Sequence, residues 1–175
     1  MKSDSTKTEY PQTCIHQLVE AVVEQTPDAV AVVFEQESLN YRQLNSRANF
    51  LAHHLQALSV GKEVLVGICM EWSLEMVVGL LGILKAGGAY VSLDPAYPTE
   101  RLALMLQDIP ISVLLTLARL VESLLGFCSI NTVIRIPPFE NSEFSLIPKG
   151  VSVHAPTNLN VFTYFENLPS QEKWL

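Results

Sequence analysis

A chain of 175 residues is long enough for one domain with a real core, and 49% apolar residues argue against global disorder. The net charge of −7 and the scattered basic residues argue against nucleic acid or a membrane as a partner. Three widely spaced cysteines, Cys14, Cys69 and Cys128, favour a reducing, cytoplasmic setting over a disulfide framework. The polar N-terminus has no apolar core of a signal peptide, and Met76 to Leu84 is too short to cross a bilayer.

The first sixty residues alternate between helical and strand patterns. Apolar residues from Ile15 to Val23 recur at helical spacing, and Thr26-Pro27-Asp28 ends that helix. The β-branched run Ala29 to Phe34 predicts a strand, and Ser38 to Tyr41 predicts a short second one. Helical spacing returns at Tyr41 and continues to about Leu58.

The middle of the chain continues the alternation. Val64 to Met70 is apolar throughout, as expected of a strand buried on both faces of a sheet. The elements predicted after it are a helix capped by Ser73 and running to Lys85, a strand from Ala89 to Leu93, a helix capped by Thr99 and running to Ile109, a strand from Ile111 to Leu115, and a helix from Leu117 to Leu125. This order predicts an α/β fold with a doubly wound, mostly parallel sheet and helices on both faces.

The sequence changes character after about Phe127. Five of the ten prolines lie between Pro137 and Pro169, and only Asn131 to Ile136 and Asn160 to Phe165 look like strands. We therefore predict a polar tail over residues 1–13, a folded subdomain over 14–126, and an irregular, divergent or frameshifted segment over 127–175.

The segment LKAGGAYVSLDP, from Leu84 to Pro95, predicts a hinge between a helix and a strand. Gly87-Gly88 follows a helix and lacks the spacing of a phosphate loop, so it is interpreted as a break in the chain. Lys85 is interpreted as a favourable charge in the last helical turn, and Asp94 before Pro95 as a turn former.

The remaining polar and aromatic residues predict no site of their own. His53 and His54 point in different directions on a helix, and the other histidines and cysteines have no partner at metal-ligand spacing. Ser73 and Ser92 lack the context of a nucleophile elbow. Tyr41, Trp72 and Tyr90 are interpreted as packing residues. We assign no catalytic, cofactor-binding or metal-binding residue.

Two motifs in order give the chain a family resemblance. Leu39 to Leu44 (LNYRQL) resembles the first core motif of nonribosomal peptide synthetase adenylation domains, with Gln43 in place of the usual Glu. LKAGGAYVSLDP resembles the second core motif, with Ser92 in place of Pro. The similarity covers about Cys14 to Leu125, and the complete domain of that family uses ATP and Mg to activate an amino acid.

In that family the next element is a loop rich in Gly, Ser and Thr that holds the ATP phosphates with backbone N–H groups and hydroxyls. Asn158 to Tyr164 resembles the strand leading into it, but Phe165-Glu166-Asn167-Leu168 follows. Alternatively, Pro148 to Val151 resembles the exit of the loop.

The expected function is therefore that of a truncated adenylation domain, inactive alone and binding no cofactor by itself. Two alternatives stay open: one half of a split enzyme completed by another synthetase chain, or a non-catalytic interaction module. The second would self-associate through exposed apolar surface.

Overall fold

The computed structural model describes residues 13–121, 132–136 and 160–163. Its helices are α1 (Ile15–Gln25), α2 (Tyr41–Ala57), α3 (Leu74–Ala86) and α4 (Thr99–Asp108). Its strands are β1 (Val30–Phe34), β2 (Glu37–Asn40), β3 (Leu65–Cys69), β4 (Ala89–Leu93), β5 (Val113–Leu117), β6 (Thr132–Ile136) and β7 (Asn160–Thr163).

Five strands form one parallel sheet in the order β4-β3-β5-β6-β7. β1 and β2 form a separate antiparallel hairpin. The first crossover, through α3, leads from β3 to its neighbour β4, and the second, through α4, returns across β3 to β5. Two crossovers of the same hand that run in opposite directions place their helices on opposite faces of the sheet.

Side chains along the strands confirm that both faces are covered. Val66 and Ile68 of β3 join a buried cluster that includes residues of α2 and α3. Cys69 of the same strand joins a second cluster with Leu102 and Leu106 of α4. The doubly wound, parallel α/β fold predicted from the sequence is therefore confirmed, and the apolar run of β3 is explained by burial on both faces.

Two helices begin at residues whose side chains accept a backbone hydrogen bond. The N–H of Gln43 donates to Oδ1 of Asn40 at 2.8 Å, and Oε1 of Gln43 accepts from the Asn40 N–H at 3.0 Å, which forms a capping box for α2. The N–H of Met76 donates to Oγ of Ser73 at 3.2 Å, so the predicted cap of α3 is confirmed.

The predicted cap of α4 is wrong, and so is the predicted start at Leu117 of the helix after β5, although Val121 within that predicted helix is helical. Thr99 is the first helical residue, and the N-cap position is Pro98, whose carbonyl accepts from Arg101 and Leu102 but whose side chain has no acceptor for a cap. The strand predicted to stop at Leu115 continues to Leu117, which is buried and pairs with Ile136 of β6. A short 3₁₀ turn follows it, and residues 122–125 of the predicted helix lie outside the described part of the chain.

Two strands lie in the segment after residue 126. β6 and β7 occupy the positions where Asn131 to Ile136 and Asn160 to Phe165 predict strands, and each pairs in parallel with its neighbour. The other residues of the segment 127–175 lie outside the described part of the chain.

Candidate functional site

The strand order identifies the edge of the sheet at which ligands bind in this class of fold. From β3 the chain winds one way to β4, and from β5 it winds the other way to β6 and β7. In open α/β sheets, ligands bind beyond the carboxyl ends of the strands, at the point where the winding reverses. The candidate site here is therefore the crevice between the carboxyl ends of β3 and β5, which we call the switch-point crevice.

Two interactions join the strands at the switch-point crevice. The Thr116 hydroxyl donates to the Cys69 carbonyl oxygen at 2.8 Å, and both residues are fully buried. Just beyond the carboxyl ends of β3 and β5, the Arg119 guanidinium pairs with the Glu71 carboxylate. Both of these charged side chains are more than half exposed, so their pairing contributes little to stability.

Trp72 follows Glu71 in the sequence and is 79% exposed. Its interpretation as a packing residue is wrong, because no described part of the chain covers it. Tyr90 on the edge strand β4 is exposed as well, whereas Tyr41 at the start of α2 is only partly exposed. Of the three aromatic residues, only Tyr41 fits the interpretation as a packing residue.

The motif LKAGGAYVSLDP forms the predicted hinge at the opposite, amino end of β4. Gly87 has φ of +87°, a left-handed conformation that glycine adopts without strain, and its N–H donates to the Leu84 carbonyl at 3.1 Å. The N–H of Ala89 then donates to the Val64 carbonyl at 2.9 Å and begins the pairing with β3. These backbone bonds confirm a structural hinge.

The two charged residues of the motif make intramolecular contacts. The Lys85 ammonium is buried and pairs with the Glu20 carboxylate of α1. Asp94 is at the carboxyl end of β4, where its Oδ1 accepts the Ala96 N–H at 2.9 Å and forms the predicted turn.

The remaining candidates do not assemble into a metal site. Among the residues that the structure describes, no group of three or more His, Cys, Asp or Glu side chains could hold a metal ion. Cys128 and His154 lie outside the described residues. Partial burial lowers the pKa of His54 below its usual value by desolvating the charged imidazole.

The switch-point crevice does not fit an Mg-bound nucleotide with the residues described. The carboxylate of Glu71 is paired with Arg119, whereas Mg sites offer oxygen ligands that are free to face the ion. The Thr116 hydroxyl already donates to the Cys69 carbonyl oxygen. We therefore derive no catalytic step at this crevice.

Comparison with known proteins identifies the family. The sequence model of the AMP-binding enzyme family matches residues 19–159. The chain belongs to the AMP-binding enzyme family. The matched residues include both core motifs and β6. The match therefore extends into the segment 127–175.

The relatives of this AMP-binding chain are parts of very large synthetases. One protein of the linear gramicidin synthase of Brevibacillus parabrevis is 42% identical over 180 residues, which is 90% of this chain and 2% of that protein. Gramicidin S synthase 2 of Aneurinibacillus migulanus is 56% identical over 102 residues, 58% of this chain and 2% of that protein. The chain thus spans a small fraction of the curated relatives that it matches.

Solved structures of nonribosomal peptide synthetases share the fold of the AMP-binding chain. The synthetase FmoA3, bound to α-methyl-L-serine-AMP, has a TM-score of 0.68 and 34% identity over 71% of this chain and 14% of its own. The N-terminal subdomain of Klebsiella oxytoca NpsA, in complex with anthranilyl-AMSN, has a TM-score of 0.54 and 25% identity. That match covers 58% of this chain and 27% of the NpsA subdomain. The resemblance to adenylation domains of these synthetases is therefore confirmed.

Sequence reasoning missed the residues that meet at the switch-point crevice of the AMP-binding chain. Glu71 and Arg119 belong to neither core motif that carries the family resemblance, and Thr116 is not assigned to a site from sequence. Their common signal is position, since each lies at or just after the carboxyl end of a buried strand. That signal becomes readable once the strand order is known, because it depends on which two strands are neighbours.

Proposed function

We propose that this chain is the N-terminal scaffold of an amino-acid-activating adenylation domain, and that residues 1–175 alone do not form an aminoacyl-adenylate. The observation that carries this proposal is the sequence after β7. In the placement that better suits the usual distance from the second core motif, β7 leads into the phosphate loop, but in this chain Tyr164 is followed by Phe165, Glu166, Asn167 and Leu168.

The chemistry of those residues supports the proposal. A triphosphate requires several backbone N–H groups at close range, which small residues permit and bulky side chains obstruct. Phe165 and Leu168 are bulky, and the Glu166 carboxylate repels a phosphate chain. Transfer at the α-phosphate also requires Mg and positioned cationic or N–H donors to neutralise the developing charge.

An exchange assay tests the catalytic half of the proposal. The purified chain is incubated with ATP, labelled pyrophosphate, Mg and each proteinogenic amino acid, with an intact adenylation domain of linear gramicidin synthase as the positive control. We expect no amino-acid-dependent exchange above that of heat-denatured protein. Robust exchange with any amino acid would overturn this half of the proposal.

A chimera tests the scaffold half separately. Residues 14–163 of this chain are joined to the part of that linear gramicidin synthase adenylation domain that begins at its phosphate loop. We expect the chimera to catalyse exchange with the amino acid of the donor domain, because the grafted part supplies the loop and the pocket. A chimera that unfolds cooperatively yet catalyses no exchange would show that this scaffold is not competent.

A second candidate is one half of a split adenylating enzyme. The extent of the family match favours it, since residues 19–159 retain family sequence almost up to β7. A downstream reading frame that begins with the Gly/Ser/Thr-rich loop would supply the other half. Co-expression of the two products is expected to give amino-acid-dependent pyrophosphate exchange that neither product gives alone. If co-expression gives no exchange, the isolated scaffold is the better assignment.

A further inference from the structure

The lysine of the hinge motif is buried in an unusual setting. Lys85 lies in the last turn of α3, and its side chain is 4% exposed, although the rest of that helix is almost entirely apolar. The carbonyl end of a helix favours a cation, but an ammonium removed from water still needs a close anionic partner. That partner is Glu20 of α1, which is 65 positions away in the sequence and 44% exposed.

α1 itself is docked by little apolar burial. None of its eleven residues is buried, and Ile15 and Leu18 are 67% and 46% exposed. Val19 is partly buried against the main core cluster. By comparison, α2 buries five residues, including Leu51 and Leu55. Hydrophobic burial therefore fixes α2 firmly and α1 only weakly.

We propose that the Glu20–Lys85 ion pair is a latch that holds α1 against α3, and that α1 is released as a unit while the sheet stays folded. The ion pair gains Coulomb energy inside the protein, but both groups regain hydration when α1 leaves. Because these two contributions oppose each other, docked and released α1 differ little in free energy. Local opening of this kind is expected of an element with few buried apolar contacts. The lysine of LKAGG thereby couples the amino-terminal helix to the hinge.

Hydrogen exchange resolved along the backbone tests the latch. The variants are Glu20→Gln and Lys85→Met, and the control is Glu24→Gln, which removes an exposed carboxylate one turn further along α1. We expect the amides of α1 to exchange about two- to a hundredfold faster in both latch variants, which is the range expected when one partner of a contacting pair is removed. The amides of β3 and β5 should keep wild-type rates in Lys85→Met, and Glu24→Gln should match the wild type throughout.

Urea unfolding separates the latch from a general loss of stability. Glu20→Gln leaves a buried ammonium beside a neutral amide, so its unfolding midpoint should fall below the wild-type midpoint. Lys85→Met removes that charge and should keep the wild-type midpoint or exceed it, and the double variant should match Lys85→Met. The latch is contradicted if α1 of Lys85→Met exchanges at the wild-type rate, or if Glu24→Gln accelerates α1 as much as Glu20→Gln does. Should Glu20→Gln fail to fold, the exchange rates of Lys85→Met decide the question.

Discussion

Two charged side chains of the hinge motif are engaged with other parts of the chain. Lys85 pairs with Glu20, and Asp94 accepts the Ala96 N–H. Each contact restricts the rotamers of the side chain and stabilises the local fold. At the scale of the residue, the motif therefore identifies the family through its packing and its turns.

His54 provides a test of how burial acts on a single ionisable group. Burial disfavours the charged imidazole and lowers the pKa of His54 below the ordinary value of 6.5. The unfolded chain therefore takes up the proton first as the pH falls, so the stability contributed by neutral His54 is present above about 6.5 and is lost as the pH falls below it.

Urea midpoints measured from pH 7.5 to 5 check this sign. The wild type should lose stability more steeply below pH 6.5 than His54→Gln does, because the variant cannot take up that proton. His53→Gln, which alters the exposed neighbouring histidine, is the matched control and should keep the steeper wild-type slope. Equal slopes for the wild type and His54→Gln would contradict the effect of burial.

At the scale of the element, α2 and α3 depend on close approach at one glycine. A Cβ added to Gly82 would lie 2.7 Å from Cδ2 and 3.0 Å from Cβ of Leu51, which is fully buried. We expect Gly82→Ala to lower the free energy of unfolding by about 1–3 kcal/mol, even though alanine favours a helix by about 1 kcal/mol over glycine. Gly61→Ala is the control, since a Cβ there meets nothing within 4 Å. Chemical denaturation that shows the two variants equally stable would contradict this packing argument.

The elements that the sequence predicts well are those decided by local pattern. Three of them follow from residues only a few positions apart: the continuous apolar run of β3, the Ser73 cap and the Gly87 hinge. One error arises where a distant strand decides the outcome. Leu117 has the pattern of a helix, but its pairing with Ile136 holds it in β5.

The switch-point crevice was unpredictable for the same reason. Glu71 and Arg119 are 48 positions apart, and they meet because β3 and β5 become neighbours when α4 crosses back over the sheet. The Glu20–Lys85 contact also depends on the packing of α1 against α3. Charge pairs of this kind are set by topology, which no single stretch of sequence contains.

At the scale of the whole molecule, the described residues leave much apolar surface in solvent. No helix within residues 13–121, 132–136 and 160–163 is long and apolar enough to cross a membrane. Large apolar side chains that are at least 60% exposed are Ile15, Val30, Val33, Trp72 and Leu104. Large exposed apolar side chains can be buried by contact with another protein surface.

We expect the purified chain to self-associate with increasing concentration, because two copies can bury this surface against each other. Light scattering coupled to size-exclusion chromatography measures the mass at several concentrations. Val33→Lys, on the hairpin strand β1, should lower the average mass at a given concentration, since it removes an exposed aliphatic side chain. Gln36→Lys adds the same charge at an exposed position of the hairpin turn, so it controls for charge and should behave as the wild type. A chain that stays monomeric at all concentrations would contradict the prediction, and equal masses for the two lysine variants would place the contact away from β1.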